Sequence, residues 1–563
     1  MPVRAVLLTL AFALLAAAAP AQAAFLTGFE VTPSTKAAGA NPDLAITATF
    51  TPYPLLGTPP PQPKSITFHL PPGVVGDPFA TPKCTQAQFG AAACPAITQV
   101  GEVAVSAKIP PGVASDANGE VYNVTPSGSE PARLGAVIHP ALGGPLLVTT
   151  LVKARATDGG LDSIVPELPR SAAGMQIYTE QMRFTLYGKP PGSSKPFMRN
   201  PTACVPATTT VDAVSFQAPD TKESKSSSFT PENCGALPFA PHIQATVGAN
   251  GKTARSAKPP VSTIVTQEPG QADQSAVAVT LPSVLAPDLT RFAVICAFDQ
   301  SLARACPDGA RIGTVLAGTP LLAKPLNGSV YLTANPAGAL PLLTIQLDDP
   351  IPLRLSGTPE ITAAGLKTTF SGLPDVPLTR FELNLFGGDA GAFKLSSDLC
   401  AAAQPPTVAA AFQAHSGATA ADTQPVTVAG CTPPPAVTAA ITRVKRRKPK
   451  VTVGVTAAEG APALQRVEVT LPAALRAGTK KARRKGTRTT AGTAKLTRDG
   501  QLTLTLPAGT RTVTVTLRKG AVRSTRKLRL ARHPRARKLL VLVRDDDGVR
   551  PPVTLRVKPR RGA

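Results

Sequence analysis

The sequence predicts an all-β protein: two duplicated, disulfide-stapled β-sandwich modules followed by a small basic immunoglobulin-like β-domain. Three observations lead there. Pro and Gly, 61 and 45 of them, break the chain into Val/Thr/Leu runs of strand length, and 43% apolar residues are too many for a disordered chain. The eight cysteines fall into two sets of four with matched spacing. The net charge of +25 is confined to one end of the chain.

The N-terminus sets the expected compartment. "MPVRAVLLTLAFALLAAAAPAQAAF" has one early cation, Arg4, then an apolar run from Val6 to Ala19, then Pro20 and Ala21-Gln22-Ala23. That is the layout of a cleaved secretory signal peptide over residues 1–23. A membrane anchor would need about 20 apolar residues without a cleavage pattern. No Cys follows the apolar run to carry a lipid, and no second long apolar stretch occurs. The mature chain is therefore expected to be secreted, without a transmembrane segment.

Two copies of one module follow, expected over 24–238 and 262–432 with a linker at 239–261. "SITFHLPPGVVGDP" (65–78) matches "AVAVTLPSVLAPDL" (276–289), placing Leu70-Pro71 on Leu281-Pro282. "ITQVGEV" (97–103) meets "GARIGTV" (309–315), "NGEVYNVTP" (118–126) meets "NGSVYLTAN" (327–335), and "QMRFTLYG" (181–188) meets "RFELNLFG" (380–387). "CVPATTTVDAVSFQA" (204–218) meets "CAAAQPPTVAAAFQA" (400–414). Matched blocks in one order signal duplication. Within them apolar residues alternate: Met182, Phe184 and Leu186 face one way, Arg183, Thr185 and Tyr187 the other. That is the period of a half-buried strand, and roughly nine or ten such runs per copy make a β-sandwich.

Each copy carries four cysteines: Cys84, Cys94, Cys204 and Cys234, then Cys296, Cys306, Cys400 and Cys431. Four cysteines allow three pairings. Nearest-neighbour pairing is favoured because the short intervals hold, 10 and 30 residues against 10 and 31, while the middle one changes from 110 to 94. Zinc would want C-x2–4-C clusters or adjacent histidines, and a dithiol centre would want C-x-x-C. Neither occurs, so the cysteines read as structural staples and no metal or cofactor is expected. Closing a ten-residue loop should stabilise by a little under ~3 kcal/mol. The loop needs it, since "TQAQFGAAA" offers only Phe89 as a large apolar anchor.

Residues 433–563 remain β, with short alternating strands such as "QRVEVTLP", "QLTLTLPAG" and "TRTVTVTLRKG". After Cys431 there are 33 Lys+Arg against 6 Asp+Glu, a net of +27; the preceding chain has 26 against 28, a net of −2. "KKARRKGTR" reads as a solvated loop, and its Lys480, Lys481, Arg483, Arg484, Lys485 and Arg488 are the candidate site for an anionic polymer or envelope surface. Specific nucleic-acid binding is not expected, because residues 432–563 hold no Phe, Tyr or Trp for base stacking.

Catalytic signatures are missing: no H-E-x-x-H, G-x-S-x-G, P-loop or G-x-G-x-x-G. Ser524-x-x-Lys527 lacks its companion motifs, and "RDDDGVRPP" (544–552) lacks the spacing and later Glu of a calcium loop, so it reads as a hairpin turn. Between the copies polar positions change, Glu102 to Thr314, Glu120 to Ser329 and Arg183 to Glu382, while apolar residues, glycines and cysteines persist. A repeated framework fits this better than a repeated active site.

The stretches "LPPGVVGDPFATPKCTQAQFGAAACP", "NPTAC" (200–204), "CGALPFAP" (234–241) and Cys306-Pro307 with Arg311–Gly313 resemble large secreted, Cys-containing β-repeat proteins of high-GC Gram-positive (actinobacterial) soil bacteria. The second copy departs from that pattern with "SSDLC" (396–400). The resemblance implies architecture and export, with no assigned activity. The reading is a secreted, non-enzymatic, envelope-associated structural or adhesive protein whose basic domain binds anionic wall polymers. The alternative is a secreted carbohydrate-binding or carbohydrate-active protein, against which the absence of Trp and the five Tyr weigh. Oligomeric state is not encoded in any pattern found.

Overall fold

The computed structural model describes residues 24–561 except Leu55, Ser129, Ala339, Asp349, Ala402, Ala403 and Thr432; the expected signal peptide, 1–23, lies outside the described residues. The first module has eleven main strands. They are β1 (Leu26–Pro33), β2 (Leu44–Phe50), β3 (Pro63–Leu70), β4 (Gln99–Ile109), β5 (Ala117–Val124), β6 (Ala132–Pro140), β7 (Leu146–Ala154), β8 (Leu161–Val165), β9 (Tyr178–Leu186), β10 (Ala207–Ser215) and β11 (Lys222–Phe229). They pair antiparallel in the order β1-β2-β9-β4-β5-β6-β7-β8-β3-β10-β11.

The second module repeats this path. Its strands are β12 (His242–Val247), β13 (Val261–Thr266), β14 (Gln274–Pro282), β15 (Arg311–Gly318), β16 (Leu326–Thr333), β17 (Leu342–Leu347), β18 (Arg354–Thr362), β19 (Gly365–Ser371), β20 (Arg380–Leu385), β21 (Thr407–Ala414) and β22 (Thr419–Pro425). The order is β12-β13-β20-β15-β16-β17-β18-β19-β14-β21-β22, so every strand has a counterpart eleven numbers earlier. The duplication is thus complete in topology, beyond the blocks that match in sequence.

Each sheet curls until its edges meet, a flattened barrel whose two halves face each other as in a sandwich. Side chains close the seam where twist has carried the backbones out of register. On β11, Glu223 accepts hydrogen bonds from the Phe25 and Leu26 N–H (3.0 and 2.9 Å), and Ser227 Oγ accepts from Val31 N–H (3.0 Å). In the second module Asp422 on β22 accepts from Ile243 N–H on β12 (2.9 Å).

The four disulfides are Cys84–Cys94, Cys204–Cys234, Cys296–Cys306 and Cys400–Cys431, the nearest-neighbour pairing that the spacing favours. Bonds of this kind form in oxidising compartments. The first ten-residue loop holds a short helix, α1 (Gln86–Gly90). Thr85 and Gln88 form a capping box (Thr85 Oγ1 accepts from Gln88 N–H at 3.2 Å, Gln88 Oε1 from Thr85 N–H at 3.0 Å), and Phe89 is buried on Gly135, where no Cβ would fit. In the second copy, where α2 (Phe298–Leu302) fills the loop, Ser301 replaces Phe89 and Thr344 replaces Gly135 by the pairing register. The ring-on-glycine contact is lost, and Gln346 Nε2 donates to Ser301 O (2.9 Å).

The third domain packs two sheets on a separate core that includes Val451, Val469, Leu502 and Val541. One sheet contains β23 (Ala436–Thr442), β24 (Lys450–Thr456), β26 (Thr487–Thr489) and β29 (Thr512–Leu517). The other contains β25 (Leu464–Thr470), β27 (Thr493–Leu496), β28 (Gln501–Thr505), β30 (Arg537–Asp545) and β31 (Val553–Val557).

The joints differ from expectation. The segment 239–261, read as a linker, contributes β12, which pairs with β13 through six residues. Its remaining turn holds the third domain: Arg255 and Val549 exchange backbone hydrogen bonds (3.1 and 2.7 Å), and Lys252 Nζ lies 3.3 Å from Asp547. A polar loop looks like a linker in sequence because its partner is almost 300 residues away.

"NPTAC" and "SSDLC" have parallel roles. Thr202 donates from Oγ1 and N–H to Asp375 of the second module (2.6 and 2.9 Å), beside an ion pair between Arg199 and Asp273 (2.6 Å). Asp398 lies 3.9 Å from Arg550 of the third domain. The residue two before the third cysteine of each copy therefore meets the domain that follows.

Candidate functional site

The basic site predicted as a loop at Lys480–Arg488 is instead mostly a helix, α3 (Lys480–Gly486), with Arg488 on β26. Thr479 caps it through Ala482 N–H (3.4 Å). Ala, Lys and Arg are good helix formers, and Gly486 ends the run where any side chain would strike Arg518 O. Arg483 folds back to Gly478 O (2.7 Å), while Lys480, Lys481, Arg484, Lys485 and Arg488 are exposed. Among the described residues none of these six cations has an acidic partner.

Tertiary structure adds to this cluster from elsewhere in the chain. Arg518 N–H donates to Gly486 O (2.8 Å), seating the 518–521 turn against α3. Ser524 Oγ donates to Arg446 O (3.4 Å), and the Lys448 stem covers Gly520, which brings in the 443–450 turn. Val444 N–H donates to Arg560 O, adding Lys558 and Arg560. Four runs that are 30 to 120 residues apart in sequence thus form one basic pole. Sequence reading found only the densest of them; the missed signal was that the others occupy turns leading into the same strand ends.

The opposite end of the domain is acidic and buried. Arg550, 4% exposed, donates to Asp545 (2.6 Å) and Asp547 (3.1 Å), and Asp545 also accepts from the N–H of Asp547 and Gly548. The "RDDDG" turn is therefore an ion-pair plug against the second module. Burial, then the neighbouring Asp545 charge, holds the Asp547 carboxyl above its ordinary range, and Lys252 and Arg550 pull it back. The domain is polarised, with Asp545, Asp546 and Asp547 at the joint and the clustered cations of α3 and its neighbouring runs at the free end.

Other clusters are saturated. On the outer face of the first barrel, His69 bridges Asp162 (2.8 Å) and Asp212 (2.9 Å), which are bound in turn by Arg155 and Lys222. Burial lowers the His69 pKa, but the two carboxylates outweigh it and raise it overall. The register places Thr280, Lys367 and Ala411 at these positions in the second copy, so the ladder is not repeated. Ser524 of the Ser-x-x-Lys pair is buried on the Arg446 carbonyl, whereas Lys527 is exposed. Among the described residues, no helix is long and apolar enough to cross a membrane, and no group of His, Cys, Asp or Glu is arranged to hold a metal.

No family model and no curated protein matches the chain. Solved structures that it resembles include a 1.5-MDa bacterial ice-binding adhesin (TM-score 0.15, 10% identity, 77% of this chain and 91% of that one). Another is the N-terminal domain of a Streptococcus gordonii adhesin (TM-score 0.18, 8% identity, 87% and 94%). A third is a membrane-anchored protein from Corynebacterium diphtheriae (TM-score 0.17, 10% identity, 82% and 96%). These scores are too low to carry an argument about this chain.

Proposed function

We propose that this is an exported, non-enzymatic protein of the cell envelope, retained there by its C-terminal domain on anionic wall polymer or an anionic surface. The observation that carries the reading is the basic pole. Unpaired cations from α3 and three other turns converge on the end of the domain that faces away from the modules. A net of +27 after Cys431 against −2 before it makes one end of the molecule the electrostatic handle. Exposed Lys and Arg without aromatic neighbours suit a flexible polyanion, bound by charge density more than by shape.

Binding of the full-length protein to isolated cell walls tests this. It should be strong at low salt and largely released at 1 M, where the Debye length falls to ~3 Å. Changing Lys480, Lys481, Arg484 and Lys485 to Gln should weaken it without unfolding the domain, because these side chains are exposed. Salt-independent retention, or full retention by that variant, would refute the reading.

A further inference from the structure

The two barrels share a strand path but differ in what fills them. In the first, Phe29 stacks on Phe68 (6.2 Å between ring centroids) and Phe68 meets Phe184 edge-on (6.3 Å). The pairing registers identify the counterparts. Phe68 corresponds to Val279, Phe184 to Leu383, and Phe29 to Ile243. Three rings have become three aliphatic side chains. The second barrel gains Phe370, Phe381 and Phe412 where the first has Val165, Met182 and Ala213, so its rings sit at other positions and the space beside Val279 and Leu383 is left open.

The hollow is present. One chamber of 170 Å³ and one of 120 Å³ share Val265, Val277, Phe370 and Phe381 in their walls, and Val279 and Leu383 line the second. The cavity between Val105 and Leu146 of the first barrel measures 40 Å³. Protein interiors are otherwise close-packed, and an apolar void of such size stays dry and takes apolar guests. The lining follows β14 from Gln274 to Leu281, seven residue steps or about 23 Å at the strand rise. The shape is long and narrow.

The first chamber reaches the joint between the modules, where Val152 and Leu161 of the first barrel complete its wall. Through Val75, Leu321 and Leu378 it adjoins a 220 Å³ vestibule carrying Asn41, Asp77, Arg199 and Glu268. Arg199 is already paired with Asp273, and Asp77 and Glu268 line the vestibule.

We propose that the second barrel binds a single-chain lipid with an uncharged head, its apolar tail in the two chambers and its head in the vestibule. A rigid ring system does not suit a cavity whose lining runs the length of one strand, and an anionic head would meet Asp77 and Glu268. This site is independent of the basic pole. It assigns the second copy a binding role that the first lacks.

The test uses the full-length oxidised protein and uncharged probes, so that the basic domain does not contribute. Monopalmitoylglycerol should bind saturably at one site per chain by isothermal titration calorimetry, and free glycerol should not. Val279→Phe with Leu383→Phe restores the rings of the first barrel and should weaken uptake by about tenfold or more, with circular dichroism and disulfide map unchanged. Val279→Ala should retain binding. If the double variant fails to fold, Val279→Phe alone is measured, with a partial loss expected. Absence of saturable uptake by the wild type, or undiminished uptake by a folded Phe variant, would overturn the proposal.

Discussion

The first and second modules trace the same eleven-strand path with the same two staples, yet one is filled and the other hollow. The difference lies in where each barrel places its rings, with Phe370, Phe381 and Phe412 of the second standing where the first has Val165, Met182 and Ala213. Phe29, Phe68 and Phe184 pack as a chain of rings across the first barrel, whereas Val279 and Leu383, at the register of Phe68 and Phe184, border a void. The outward faces diverge as well, since the His69 ladder of the first copy becomes Thr280, Lys367 and Ala411. What persists is what the path requires: the Leu-Pro exit from β3 and β14, and glycines such as Gly101 and Gly313. A Cβ at either glycine would strike a backbone carbonyl of the neighbouring strand. Duplication preserved the frame and freed the interior to change.

Substitutions at matched positions should expose this asymmetry. Phe68→Ala should cost about 3–5 kcal/mol by urea denaturation, because a packed ring leaves a new cavity. Val279→Ala removes less from a site already bordering empty space and should cost under about 1.5 kcal/mol. Equal losses at the two positions would mean that the barrels are packed alike.

The joints allow a second comparison. Arg550→Ala should destabilise by about 3–5 kcal/mol, because it strands Asp545 and Asp547 in a buried site. Limited proteolysis should then cut between the second module and the third domain. Thr202→Val at the other joint removes one hydroxyl from Asp375 and should cost about 1–3 kcal/mol. A smaller effect at Arg550 than at Thr202 would reverse the ranking of the two joints.

The staples should be more alike. Replacing Cys84 and Cys94 with Ala, or Cys296 and Cys306, should each cost about 2–3 kcal/mol, since both close ten-residue intervals. A much larger loss in the first copy would show that Phe89 on Gly135 depends on its disulfide.

A last comparison concerns pH at the joint between the modules. Burial pushes Asp273 up to about 7, against the pull of the adjacent Arg199. The unfolded group titrates near ~3.9, so over the interval between these values the folded chain keeps a proton that the unfolded chain has lost. This contribution is fully present below the unfolded value and is lost as pH rises through 7. The melting temperature of the wild type relative to Asp273→Asn should therefore rise from pH 7.5 to pH 5. A flat difference would show that the carboxyl is already ionised at the joint.

Much of this was legible in the chain. Alternating apolar residues, Pro and Gly punctuation, and constant cysteine intervals specify strands, turns and staples, because each is a local property of a pleated backbone or a short loop. The charge division after Cys431 is likewise a matter of counting. Other features depend on residues far apart in sequence. The polar stretch 247–260 and "RDDDG" each look like exposed loops until Arg255 meets Val549 and Lys252 meets Asp547. The basic pole needs Arg446, Gly486, Arg518 and Arg560 brought to one end by strands whose directions only the sheet order settles. The hollow is the clearest case. Val279 and Leu383 are unremarkable core residues in sequence, and they border a void only because the sheet path sets them around one space with Val265, Phe370 and Phe381.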